Sequence, residues 1–244
     1  MPYVRHFIVL SVLILFGFFL NGCQNEIAGP NDTGGDEPLG SGQIRFIHCA
    51  SSASELDIAY KDLTDGQYYT MQAGASYGNP YGYFDFYVGE RNFIVYPSNT
   101  DIVIASGTVT LSEGQKVSLI AIDYEATVDP DLLVLEDTLA IPAAGYAYVR
   151  FIHAGADGET IKISETDSAT AIAILKHLDN SGYLKLEART YKFNIQSNQS
   201  QQSLIQSVPL TFLSGQCYSV IFSGSYQELT PLVFNAKVYR ETSL

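Results

Sequence analysis

From Gln43 onward, apolar and polar positions alternate in short runs of period two, and no long stretch carries the 3.6-residue period of a helix. A first series of strands is predicted near 43–49, 55–61, 67–72, 82–88, 91–97, 102–111, 116–123 and 132–138. A second is predicted near 146–153, 159–165, 171–175, 182–188, 191–197, 203–213, 217–223 and 232–239. Asp65-Gly66, Gly78-Asn79-Pro80, Pro97-Ser98-Asn99 and Ser112-Glu113-Gly114 punctuate the first series as turns. Gly and Asn there accept positive φ, and Pro removes a ladder donor.

The two series read as copies. Ile44-Arg45-Phe46-Ile47-His48-Cys49-Ala50 opens the first, and Val149-Arg150-Phe151-Ile152-His153-Ala154-Gly155 opens the second. Gly82 to Phe86 answers to Gly182 to Leu186, Arg91-Asn92-Phe93 to Arg189-Thr190-Tyr191, and Thr110 to Gln115 to Thr211 to Gln216. An interval of about a hundred residues is too long for a solenoid repeat and fits a duplicated globular domain. Seven or eight short strands in such a length predict an antiparallel, immunoglobulin-like β-sandwich. The expected fold is all-β, with two tandem immunoglobulin-like sandwich domains at 43–140 and 146–241. The linker Ile141-Pro142-Ala143-Ala144-Gly145 is short enough to imply contact between them.

Ahead of the strands the pattern changes. Arg5 and His6 make a short polar head, and Phe7 to Leu20 is apolar except for Ser11 and Gly17. That run is shorter than the roughly 20 residues of a spanning helix and matches the core of a secretory signal peptide. It ends in Leu20-Asn21-Gly22-Cys23, which resembles a bacterial lipobox; residues 1–22 are expected to be cleaved and Cys23 lipidated. Residues 23–42 hold Gly29, Pro30, Gly34, Gly35, Pro38, Gly40 and Gly42 with Glu26, Asp32, Asp36 and Glu37, the composition of a flexible acidic tether. Acidic residues soon after a lipidated Cys resemble surface-export signals of Bacteroidetes lipoproteins. The expected location is the cell envelope, lipid-anchored to the outer membrane, with surface exposure and a periplasm-facing position both open.

Composition narrows the function. Lys+Arg 13 against Asp+Glu 26 gives a net charge of -13, which repels phosphate backbones and argues against nucleic-acid binding. Once Cys23 is acylated, Cys49 and Cys217 remain; they fall on non-equivalent strands of different copies, so two buried free thiols are expected. No Walker loop, G-x-S-x-G, GxGxxG or H-E-x-x-H motif occurs, and no cofactor, metal or catalytic site is expected.

Each remaining candidate has a plain structural explanation. Ile44, Phe46 and His48 share one strand face, as do Val149, Phe151 and His153, so both histidines are expected as neutral imidazoles bonded to a nearby turn. Asp57 and Asp62 resemble a carboxylate pair, but Lys162 stands where Asp57 does in the second copy. Asp123, Asp129, Asp131, Glu136 and Asp137 lack the compact order of a calcium loop. Tyrosines 68, 69, 77, 81, 83 and 87 form the one suggestive group, with Tyr77, Tyr81 and Tyr83 as candidate ligand contacts for a sugar or protein partner. Trp 0 counts against a sugar platform.

Arg45-Phe46-Ile47-His48-Cys49-Ala50-Ser51 and Arg150-Phe151-Ile152-His153-Ala154-Gly155, with Gly114 and Gly215 before the penultimate strands, resemble an uncharacterised bacterial family. Its tandem domains each open on Arg-Phe-x-His-Ala-Ser. The likeness covers roughly 43–240 and departs at Cys49 and at Gly155. It implies a β-sandwich at the cell envelope and brings no active site. The expected function is a non-catalytic binding or structural module, the alternatives being a fimbrial or adhesin subunit and a glycan-binding surface lipoprotein.

Overall fold

The computed structural model describes residues 40–241 other than 52, 63, 80, 123–130, 139, 169 and 226–233. The expected signal peptide, Cys23, almost all of the expected tether, Asp123 and Asp129 lie outside the described residues. Among those described there is no helix.

The first series of strands is β1 (Ser41–Cys49), β2 (Glu55–Lys61), β3 (Tyr68–Ser76), β4 (Phe84–Tyr87), β5 (Gly89–Pro97), β6 (Ala105–Leu111), β7 (Lys116–Ile122) and β8 (Asp131–Asp137). The second is β9 (Tyr146–Gly155), β10 (Ile161–Glu165), β11 (Ala171–Leu175), β12 (Leu184–Glu187), β13 (Thr190–Ser197), β14 (Ser203–Thr211), β15 (Cys217–Gly224) and β16 (Asn235–Glu241). Each series makes two four-stranded sheets in the same order: β4-β1-β7-β8 and β3-β2-β5-β6, then β12-β9-β15-β16 and β11-β10-β13-β14.

Pairing is mostly antiparallel, with one departure from the expected pattern in each series. β1 runs parallel to β7 and β9 parallel to β15. Five strands separate the members of each pair, so no hairpin constrains their relative direction.

Period two places Ile44 and Phe46 inward against Leu56, Ile58, Phe86, Phe93, Val95 and Leu119 in one apolar cluster. Val149 and Phe151 meet Ile161, Ile163, Phe193, Phe212, Val220 and Phe222 in a second. The other face of the opening strands is buried as well. Ile47 and Cys49 of β1, Ile120 and Ile122 of β7, Ile152 and Ala154 of β9, Ile221 of β15 and Tyr239 of β16 form a third cluster that joins the two series. The order of layers is therefore β3-β2-β5-β6, β4-β1-β7-β8, β12-β9-β15-β16, β11-β10-β13-β14. Strands in the two middle layers are covered on both faces, which is why β7 and β15 are buried along their whole length.

Register corrects one of the matched stretches. Glu90 faces Thr110 and Thr190 faces Thr211, so Arg91 corresponds to Tyr191 and not to Arg189. Both Arg91 and Tyr191 point inward: Tyr191 stacks on Phe193, and the Arg91 guanidinium lies over the Phe86 ring. Burial pushes the Arg91 pKa down.

Gly155 departs from the motif for a steric reason. A Cβ there would stand 2.6 Å from Phe234 Cε2 and 3.0 Å from His153 Cε1.

Candidate functional site

The opening strands bring their arginines, not their histidines, to a shared centre. Arg45 and Arg150 face the third cluster, each set beside a serine of its parallel partner strand. Arg45 Nε donates to Ser118 Oγ at 2.7 Å, and Arg150 Nε to Ser219 Oγ at 2.9 Å. Ser118 passes a bond on to Asp137 Oδ2 at 2.7 Å, and Ser219 to Glu241 Oε1 at 2.5 Å. Tyr83 donates to Asp137 Oδ2 at 2.6 Å and Tyr183 to Glu241 Oε2 at 2.7 Å. The two groups then exchange charges. Arg150 Nη2 bonds Asp137 Oδ1, while Arg45 Nη2 stands 3.5 Å from Glu241 Oε1. Each guanidinium also covers the tyrosine of its own group, 5.0 Å from the Tyr83 centroid and 4.9 Å from that of Tyr183.

All four charges are buried. Burial, reinforced by repulsion from Asp137, raises the Glu241 pKa. Burial likewise raises the Tyr83 and Tyr183 hydroxyls, so both remain protonated donors. With all four side chains buried and every carboxylate oxygen turned toward a partner, this arrangement fixes one layer against the next and acts as a junction.

The histidines sit as their strand position predicts. The amide of Ala50 donates to His48 Nδ1 at 3.2 Å, so the ring proton is on Nε2, which donates to Ala53 O at 3.0 Å. His153 repeats this with the Gly155 amide at 3.2 Å and Glu159 O at 2.6 Å. Burial pushes the His153 pKa down to about 4, which keeps the ring neutral. Asp57 takes bonds from the Gly74 amide at 2.7 Å and Ser98 Oγ at 2.6 Å, and Asp62 Oδ1 from the Thr64 amide at 2.7 Å. Both carboxylates thus organise turns. Among the described residues no group of three or more His, Cys, Asp or Glu is placed to hold a metal ion. Cys49 and Cys217 are buried and not joined by a disulfide.

The tyrosines singled out by sequence scatter. Tyr77 bonds Ser223 Oγ across the junction at 2.9 Å and meets the His48 ring edge-on. Tyr81 packs against the first apolar cluster, its hydroxyl accepting from the Ser76 amide at 3.0 Å. Tyr83 belongs to the charge network. All three are half-buried with their hydroxyls engaged inside the chain, so they share no open platform.

An open aromatic site lies elsewhere, on the outer face of β3-β2-β5-β6. Asp57 faces Tyr96, Ala59 faces Ile94 and Thr70, and Lys61 faces Tyr68, which sets Tyr68 and Tyr96 diagonally across the small, buried Ala59. Ala59, Tyr68, Thr70, Ile94, Tyr96, Asp101 and Val103 line a shallow groove of about 230 Å3. Tyr68 is 46% exposed, and its hydroxyl donates to Asn92 Oδ1 at 3.0 Å, which holds the ring across the sheet. The corresponding face of the second series is polar at the groove positions, with Ile174 exposed beside Lys162. There Lys162 faces Gln196 and Ser164 faces Asn194, so Tyr96, Ile94 and Ala59 are replaced by Gln196, Asn194 and Ser164. Sequence reasoning missed Tyr96 because it lies outside the tyrosine-rich stretch; its replacement by Gln196 between copies was the available signal.

Known proteins bear on the family. Among solved structures, the chain is similar to the Bacillus anthracis TIE protein at 8% identity and a TM-score of 0.26, over 75% of this chain and 34% of that one. It thus spans about a third of that protein's length. A family CBM26 module of Eubacterium rectale Amy13K, solved with maltoheptaose, matches at 8% identity and a TM-score of 0.25, over 83% of this chain and 97% of that one. The tip fimbrial protein Mfa3 of Porphyromonas gingivalis matches at 8% identity and a TM-score of 0.20, over 84% and 99%. Overlap at these scores transfers no ligand or partner. No curated protein matches the chain. A family profile described as Domain of unknown function (DUF4397) matches residues 42–164, from the opening strand of the first series into β10. That match takes in slightly more than half of the sequence, and the chain belongs to this family.

Proposed function

We propose that the chain is a lipid-anchored cell-envelope protein that acts as a non-catalytic binding module. In this reading 1–22 is a signal peptide, Cys23 carries the lipid, and 23–42 is the tether. The two series of strands are then tandem immunoglobulin-like domains at 43–140 and 146–241. Multiple acyl chains on one Cys give stable anchoring where a single chain would be marginal.

The observation that carries the binding role is the contrast between the two outermost sheet faces. One bears tyrosine and aliphatic side chains around a groove; its counterpart, built on the same strand pattern, puts Ser164, Gln196 and Asn194 at those positions and has Ile174 as an exposed aliphatic. Nothing in the fold requires Tyr68, Tyr96 and Val103 to stay in water, whereas a partner that covers them gains apolar burial.

Two comparisons test this. Cells producing the full chain are labelled with tritiated palmitate beside cells producing Cys23→Ala; label is expected only on the former. Cells displaying the full chain are compared with cells displaying Tyr68→Ala/Tyr96→Ala/Asp101→Asn for adherence to immobilised polysaccharides, mucin and matrix proteins. Equal adherence on every surface would remove this face as a binding site. A self-assembling fimbrial or adhesin subunit is the alternative, since each four-stranded sheet ends on edge strands able to take another strand. Sedimentation of the full chain as polymers would favour it.

A further inference from the structure

We infer that the groove on the β3-β2-β5-β6 face takes a neutral oligosaccharide; this deepens the binding role proposed above and rests on it. The chemistry of the lining selects the class. A pyranose ring has an apolar C–H face bordered by hydroxyls, and it needs an aromatic ring to stack on with hydrogen-bond groups at the edge. Tyr68 and Tyr96 supply rings, Ala59 and Ile94 an apolar floor, and Thr70 and Asp101 an edge of one hydroxyl and one carboxylate. A carboxylate accepts from two adjacent sugar hydroxyls at once.

Other classes fit less well. Asp101 and the net charge of -13 oppose an anionic ligand. A wholly apolar ligand would strip water from Asp101 and Thr70 without replacing its hydrogen bonds. At about 230 Å3 the groove is smaller than the roughly 300–1,000 Å3 of sites that enclose drug-sized molecules, and it is open. A ligand must then lie across the sheet and extend beyond the groove.

Geometry also sets a minimum length. Tyr68 stands at the level of Lys61 and Tyr96 at that of Asp57 on the neighbouring strand β2. Four residues of strand are roughly 13 Å, more than one sugar ring covers. Engaging both tyrosines therefore takes an oligosaccharide. The bond from Tyr68 to Asn92 presets one ring, which lowers the ordering cost of binding.

The test is isothermal titration of the full-length protein in detergent with malto-, cello-, manno-, xylo- and N-acetylchitohexaose, with hexalysine as the cationic comparison. At least one neutral hexasaccharide is expected to bind saturably. Its affinity should fall at least about tenfold in Tyr68→Ala, Tyr96→Ala and Asp101→Asn, stay within about twofold in Tyr96→Phe, and not change in Gln196→Ala. Circular dichroism of each variant separates lost binding from lost folding, and Tyr96→Phe keeps the ring where the alanine variant unfolds. Failure of every neutral hexasaccharide to bind, or binding that ignores these substitutions, overturns the inference. Binding of hexalysine alone, or adherence to proteins alone that the triple variant loses, overturns the sugar assignment and leaves the face as a binding surface. Equal adherence of the displayed chain and its triple variant on every surface, with no hexasaccharide bound, overturns both.

Discussion

Arg150, in the first strand of the second series, places its guanidinium on Asp137, in the last strand of the first. Arg45 reaches the other way, toward Glu241. The same four-residue group (an arginine, a serine, a carboxylate and a tyrosine) thus occurs twice about a pseudo-twofold centre, each supplying the counter-charge of the other. Taking one member away strands a buried charge, which costs far more than the pair contributes net.

Arg150→Ala is therefore expected to destabilise the protein by about 3–5 kcal/mol, against a much smaller loss for Arg189→Ala at the exposed Glu165 pair. Urea unfolding measures both. A double cycle of Arg150→Ala with Asp137→Ala should show strong coupling, and additive costs would mean the two side chains do not meet.

Tyr83 separates structural from binding roles. Its hydroxyl donates to Asp137 inside the junction, so Tyr83→Phe should cost about 1.5–3 kcal/mol of stability, the range of a hydrogen bond to a charged group. Any ligand affinity carried by the outer groove should stay unchanged. A Tyr83→Phe protein of full stability with weakened binding would return Tyr83 to the list of ligand contacts.

Acid should weaken the fold through His153. Its pKa is about 4 in the folded chain against an ordinary 6.5, so between those values the unfolded chain takes up a proton that the folded one refuses. This contribution is complete above pH 6.5 and is lost as pH falls toward 4, amounting to about 3 kcal/mol. Glu241 acts in the opposite sense: with its pKa raised on folding, its contribution is present below the ordinary 4.5 and fades as pH rises through the folded value. Urea midpoints between pH 7 and pH 4.5 should fall less in His153→Gln than in the unaltered chain. Parallel curves would show that His153 is not the group responsible.

The two glycines at the ends of repeated elements should respond differently to a methyl group. Gly155→Ala drives a Cβ against Phe234 and His153 and is expected to cost about 1–3 kcal/mol by overpacking. Gly114→Ala meets nothing within 4 Å, and only its φ of 71° resists, at about 1–2 kcal/mol. Thermal unfolding distinguishes them further. Replacing Phe234 by Leu should relieve Gly155→Ala and leave Gly114→Ala as it was.

Much of the fold was legible because period two is a local property. Alternation located the strands of both series, and His48 and His153, at strand ends on the core-facing side, took the neutral, turn-bonded state that position implies. Alternation also assigned the inward faces of Phe46 and Phe151. It could not say that the opposite faces are buried too, because nothing in a strand's own pattern tells what covers its second side. Alternation therefore left the surroundings of Arg45 and Arg150 open, although an arginine recurring inside two apolar strands was a signal of the junction.

By itself the sequence determined an all-β chain with a repeated strand pattern, an acidic charge and a family motif, since these depend on composition and near neighbours. Tertiary structure alone decided which tyrosines are open. Tyr77 and Tyr83 are claimed by Ser223 and Asp137, each more than fifty positions away, while Tyr68 and Tyr96 flank Ala59 of β2 on a face that no other layer covers. Partners so distant are set by layer order and register, which emerge only when whole sheets pack.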